Sequence, residues 1–117
     1  MDESHGRVTI APEVLVTIAR LTTQSIEGVA RLCYQVGPSN IDRLLGRVVG
    51  SAGVQVGVVD AAVRVDLFII VEPDVSMRSV STQVQEAVTR AIQDMVGMKV
   101  SAVNIHIRDV GYSRRSS

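Results

Sequence analysis

Apolar and polar positions alternate with two different periods along this chain, and the switches between the periods mark out its elements. Arg7-Val8-Thr9-Ile10 alternates, is rich in β-branched residues and predicts a short first strand. Pro12 follows where a first helical residue has no use for its N–H. Val14, Ile18, Leu21 and Ser25 then recur at helical spacing, with Leu15 and Ala19 widening the stripe. That helix is expected to close near Ile26-Glu27-Gly28, because glycine accepts the left-handed conformation that ends many helices. Residues 29–36 read as extended or irregular. Two paired strands are predicted at 54–58 and 63–71, turning near Val59-Asp60-Ala61. On the second of them Val63, Val65, Leu67, Ile69 and Val71 share one face, and Arg64, Asp66, Phe68 and Ile70 share the other. After Pro73, Ser76 is placed to cap a long helix with the stripe Val80, Val84, Ala87, Val88, Ala91, Ile92 and Met95, which Gly97 ends. Residues 100–110 alternate again, with Val103, Ile105 and Ile107 set against Asn104, His106 and Arg108.

Between the first helix and the strand pair, residues 37–53 collect glycines together with Pro38, Ser39 and Asn40 and break the pattern. Inside this variable loop Ile41, Leu44, Leu45, Val48 and Val49 recur at helical spacing with Asp42, Arg43 and Arg47 between them. They predict a short amphipathic helix that Gly46 weakens. The order strand, helix, strand, strand, helix, strand (βαββαβ) implies an α+β fold. Two helices pack on one face of a mostly antiparallel four-stranded sheet, in a ferredoxin-like or related arrangement. The expected organisation is one domain over residues 6–111, a flexible N-terminus at 1–5 and a flexible tail at 112–117.

Composition sharpens this picture in three ways. A chain of 117 residues suits a single core, and with aromatics at 3% that core must be aliphatic. Lys plus Arg and Asp plus Glu both count 12, so no overall field draws nucleic acid or anionic lipid to the surface. Cys33 is the single cysteine, which leaves no intrachain disulfide and no Cys-rich zinc cluster and fits a reducing cytosol. The first five residues lack the basic-then-apolar order of a secretion signal, and no apolar run reaches membrane-spanning length. A cytoplasmic protein is expected.

Candidate chemistry is sparse. Of His5 and His106, only the second lies in a predicted element, on the polar face of the last strand, and Asp66 is its best partner if the two strands are adjacent. A general base also needs a reacting group within hydrogen-bond reach. No residues stand at metal-ligand spacing, and the glycines at 46, 50, 53 and 57 match no phosphate-cradling loop. The chain therefore reads as a non-enzyme with no cofactor. Two surfaces are candidates for contact. One is the outer sheet face, Arg64, Asp66, Phe68, Asn104, His106 and Arg108; the other is the stripe Ile41, Leu44, Leu45, Val48 and Val49, which is core if it folds back and a sticky patch if exposed. Sheets that bind RNA stack bases on two or three aromatics, whereas Phe68 stands alone, so nucleic-acid or small-ligand binding is the competing reading of the outer face. Arg43 and Arg47 supply too little charge for direct membrane binding.

Several segments, in order, resemble the alkaline shock protein family, also described as general-stress proteins of Gram-positive bacteria. They begin with Gly6-Arg7-Val8-Thr9-Ile10-Ala11-Pro12-Glu13-Val14 and Ile26-Glu27-Gly28-Val29. Gly53-Val54-Gln55-Val56 and Val65-Asp66-Leu67-Phe68-Ile69-Ile70-Val71 continue the match. Val84-Gln85-Glu86-Ala87-Val88, residues 97–100 and Val103-Asn104-Ile105-His106-Ile107 complete it. The resemblance implies a cytoplasmic, self-associating protein without catalysis, brought near the membrane by a membrane-anchored partner and associated with cell-envelope stress. It carries over no catalytic residues, and residues 38–52 inherit nothing from it. Many relatives have charged tails where this chain ends in a short Ser-Arg sequence.

Overall fold

The structure, a computed structural model, describes residues 6–33 and 48–112. Helix α1 (Pro12–Gln24) begins on Pro12, whose missing N–H is no loss in a first turn, and Ser25 closes it by donating its N–H to the Leu21 carbonyl oxygen at 3.2 Å. Strand β1 (Val29–Leu32) follows a tight turn through Gly28, where φ is +103°. A Cβ at Gly28 would stand 2.6 Å from Val80 Cγ2, so only glycine lets this turn lie against the second helix. Strands β2 (Val48–Ser51), β3 (Val54–Val59) and β4 (Ala62–Val71) form consecutive antiparallel hairpins. Each turn has two residues in the left-handed region, Ala52 and Gly53 in the first, Asp60 and Ala61 in the second, as two-residue hairpin turns require. Helix α2 (Met77–Val96) is capped by Ser76, whose hydroxyl accepts the Ser79 N–H at 3.2 Å, and ends on Gly97 at φ +78°. Strand β5 (Lys99–Val110) then runs parallel to β4 along its full length.

The fold is thus α+β, a single domain with two helices on one face of a mostly antiparallel sheet. The sheet is four lanes wide because β1 and β3 share one edge of β4 end to end. Residues 62–67 of β4 pair with β3 and residues 69–71 with β1, while β5 takes the opposite edge and β2 lies beyond β3. Phe68 is the handover point: its N–H donates to the Gly53 carbonyl at 2.9 Å and its carbonyl accepts the Cys33 N–H at 2.6 Å. A Cβ at Gly53 would lie 2.5 Å from the Cys33 carbonyl oxygen, so this close end-to-end approach depends on that glycine. Val63, Val65, Leu67, Ile69 and Val71 of β4 point to the helices, where Leu15, Ala19, Val80, Val84, Val88 and Ile92 meet them in one aliphatic core.

Three expectations are corrected. Residues 7–10 form no strand, and Val8 is 86% exposed. Their β-branched alternation suits a strand, but β3 and β1 already occupy the edge of β4 that an N-terminal strand would need. Among the described residues the element order is therefore αββββαβ, with no strand ahead of the first helix. Second, α1 does not bury Val14 and Leu21. Leu15, Val16, Ala19 and Thr23 are its buried residues, because its apolar arc is wider than the surface it buries and tertiary packing chooses which part of that arc faces inward. Third, Val48 and Val49 lie in strand β2 rather than in an amphipathic helix. Ile41, Leu44 and Leu45, like the two chain ends, lie outside the described residues.

Candidate functional site

The outer sheet face, turned away from the helices, holds the polar side chains that β4 and β5 bring into register. Asp66 pairs with Asn104 and Phe68 with His106 across the parallel ladder, which sets all four side chains on one surface. Asp66 is the hub. Its Oδ1 accepts the Asn104 Nδ2–H at 3.1 Å and lies 3.0 Å from His106 Nε2, while its Oδ2 is 3.4 Å from Arg64 Nε. For the imidazole to donate to this carboxylate, its proton must sit on Nε2. The Asp66 side chain is only 15% exposed, against 52% for Arg64 and 44% for His106, so these two side chains roof the carboxylate.

The His106 ring does a second thing: it lies flat on Phe68, centroids 4.5 Å apart and planes 12° from parallel. Arg108 completes the stack with its guanidinium carbon 5.3 Å from the Phe68 centroid. A strict alternation would set Arg108 opposite Ile70. The ladder instead passes from Ile69–Ile107 directly to Ile70–Asp109, so Arg108 is the extra residue of a bulge. Phe68 is left 7% exposed. The ring a nucleobase would stack on is therefore already covered by His106, and the histidine uses both its edge and its face to brace neighbours. Among the described residues no group of three or more His, Cys, Asp and Glu could hold a metal ion.

All six residues expected on this face, Arg64, Asp66, Phe68, Asn104, His106 and Arg108, come together, and the adjacency that the Asp66–His106 contact needed is present. Two further residues belong to the same face. Gln55 is paired with Asp66 from β3 and only 8% exposed, a position that the alternation of Val54 and Val56 could have revealed. Arg31 on β1 sits beside Ile70 and donates from Nη1 to the Tyr112 carbonyl oxygen at 3.2 Å, tying β1 to the chain just after β5. No sequence signal places Arg31, because β1 is too short and too irregular to read as a strand. Cys33 has its backbone N–H bonded to Phe68 and a half-buried side chain. The other expected surface is represented only by the β2 backbone at Val48 and Val49.

Comparison with known proteins adds an independent line. Residues 1–112 match the model of the alkaline shock protein 23 family, described as having a cell envelope-related function. The uncharacterized protein YqhY of Bacillus subtilis is 28% identical over 116 residues, covering 98% of this chain and 85% of that protein. The uncharacterized protein Spy1535 of Streptococcus pyogenes is 29% identical over 109 residues, 92% of this chain and 81% of the relative. Spy1614 from the same organism is 23% identical over 111 residues, with coverages of 94% and 92%. No solved structure matches the chain. No helix among the described residues is long and apolar enough to cross a membrane.

Proposed function

This chain belongs to the alkaline shock protein 23 family, the non-enzymatic general-stress proteins with a cell envelope-related function, and from that premise we propose that it is a self-associating adaptor. In this reading it acts in the cytoplasm by protein–protein contacts and reaches the membrane through a membrane-anchored partner. The outer sheet face is the surface offered to that partner. The observation that carries this is the pre-ordered cluster on β4 and β5: Asp66 fixes Arg64, Asn104 and His106, and His106 with Arg108 is fixed over Phe68. Side chains held in place before binding lose little conformational freedom when a partner arrives, and aromatic and arginine anchors are the groups that dominate contact energies. The mixture of charges suits a polar, complementary protein surface better than a polyanion, since the face carries its own carboxylate at its centre. Ile41, Leu44, Leu45, Val48 and Val49 remain a second candidate contact stripe, proposed from their spacing alone.

The test is sedimentation of the purified chain with native membranes and with protein-free vesicles containing phosphatidylglycerol. We expect it to pellet with the native membranes only, and the His106→Ala/Arg108→Ala double variant to lose at least tenfold in that binding with an unchanged circular dichroism spectrum. Equal binding to protein-free vesicles would replace the partner by lipid. Full binding by the double variant would remove the outer face from the contact.

A further inference from the structure

Strand β5 leaves one edge open. Phe68 directs its N–H and its carbonyl at Gly53 and Cys33, so the even-numbered residues of β4 face β3 and β1 and the odd-numbered ones face β5. In a parallel ladder such a residue bonds the two neighbours of its register partner, so Leu67, opposite Ile105, engages Asn104 and His106. The backbone groups of Val103, Ile105 and Ile107 therefore point away from β4. Gln85 confirms the direction, donating from Nε2 to the Val103 carbonyl oxygen at 3.1 Å. Among the described residues β5 pairs with β4 alone, so the outward N–H and carbonyl groups of Ile105 and Ile107 face no strand.

The chain also carries a strand former that its own sheet does not use. Arg7-Val8-Thr9-Ile10 alternates and is rich in β-branched residues, yet it is exposed throughout, Val8 at 86% and Ile10 at 38%. Its backbone makes no hydrogen bond to the backbone of another described residue. Donor and edge match in pattern as well as in unmet hydrogen bonds. Laid along β5, Val8 and Ile10 extend the half-buried row of Ile105 and Ile107 on the helix side of the sheet, while Arg7 and Thr9 continue the row of Asn104 and His106 on the outer side. Four strand residues span about 13 Å, enough to cover both open positions. The segment leads into α1, which packs against β1, β2 and β3, whereas β5 lies under α2, so donor and edge are held at different parts of one copy and meet between two.

We propose that residues 7–10 of one copy add as an edge strand to β5 of a second copy, bonding the outward backbone groups of Ile105 and Ile107. The proposal rests on the self-association in the reading above and names its surface. An open edge is a template for one more strand, and the main-chain bonds of the added strand supply its affinity. A strand of four residues is short, so the association is concentration-dependent.

Light scattering behind size exclusion and amide exchange by NMR, both on the full chain over a hundredfold concentration range, test it together. As the mass rises above monomer, the Ile105 and Ile107 amides should become at least tenfold better protected, while those of Asn104 and His106, already bonded to β4, change little. The Val8→Pro/Thr9→Pro double variant removes an N–H from each of the two alternating sets, in a segment that bonds nothing in its own copy. It should stay monomeric, with both amides unprotected and an unchanged circular dichroism spectrum. A mass that rises while Ile105 and Ile107 stay unprotected would overturn this edge and leave self-association standing. Protection that persists in the double variant would overturn residues 7–10 as the added strand. Protection that is the same at every concentration would place the cover within one copy and likewise overturn the proposal. A parent chain that is monomeric throughout would overturn self-association itself.

Discussion

Thr23 shows how a single buried atom can carry a cost that no motif announces. It is fully buried in the last turn of α1, and its hydroxyl has no hydrogen-bond partner. Valine has nearly the same shape without the hydroxyl, so Thr23→Val should raise stability by about 1 kcal/mol, read as a higher midpoint in urea denaturation. A lower midpoint would mean that the hydroxyl is bonded after all. Asp66 is the opposite case, a carboxylate whose two oxygens serve three neighbours. Arg64 and His106 are about half exposed, so solvent screens their share. Asp66→Ala should therefore cost only about 1 to 2 kcal/mol, while loosening the His106 ring on Phe68. The ring-current shift of the Phe68 protons reports that change separately from stability, and an unaltered shift would show that the stack holds without the carboxylate.

Among the elements, two glycines with similar backbone conformations have different tasks. Gly97 ends α2 at φ +78° with nothing within 4 Å of a Cβ, so Gly97→Ala should cost only the left-handed conformation, about 1 kcal/mol. Gly53, at φ +88°, adds a steric demand, since its Cβ would meet the Cys33 carbonyl at 2.5 Å and the Phe68 carbonyl at 3.0 Å. Both are backbone atoms that cannot step aside without parting β1 or β3 from β4. Gly53→Ala should cost at least about 2 kcal/mol and should speed amide exchange at Cys33 and Phe68 in particular. Equal losses at the two positions would mean that the end-to-end junction tolerates a wider gap than it shows here.

At the scale of the whole molecule, one aliphatic cluster joins both helices to β1, β3, β4 and β5, and among the described residues no element has a core of its own. Unfolding should accordingly be a single cooperative transition. Leu67, fully buried at the middle of β4, reaches that common core, so Leu67→Ala should remove about 3 kcal/mol and lower the protection of the α2 and β4 amides together. Loss of protection in β4 alone would show that the sheet and helices melt as separate units. The same architecture divides the surface by role: the helices cover one face of the sheet and leave the opposite one to the Asp66 cluster.

The elements whose pattern is locally complete were legible in the sequence. Ser76 and Gly97 bracket α2, Asp60 and Ala61 turn the β3–β4 hairpin, and the alternation along β4 and β5 sorts their side chains into two faces, because capping, turn conformation and a period of two are properties of a few neighbouring residues. The members of the outer face were legible for the same reason. Their contacts were not: the Asp66–His106 and Phe68–His106 pairings depend on β5 lying parallel beside β4. Only the tertiary structure decided that residues 7–10 stay out of the sheet, since another stretch of chain had filled the edge they would need. It also decided which side of α1 faces inward, because a helix with apolar residues on both sides takes its rotation from what it packs against, and Gly28 resting on Val80 helps set that packing.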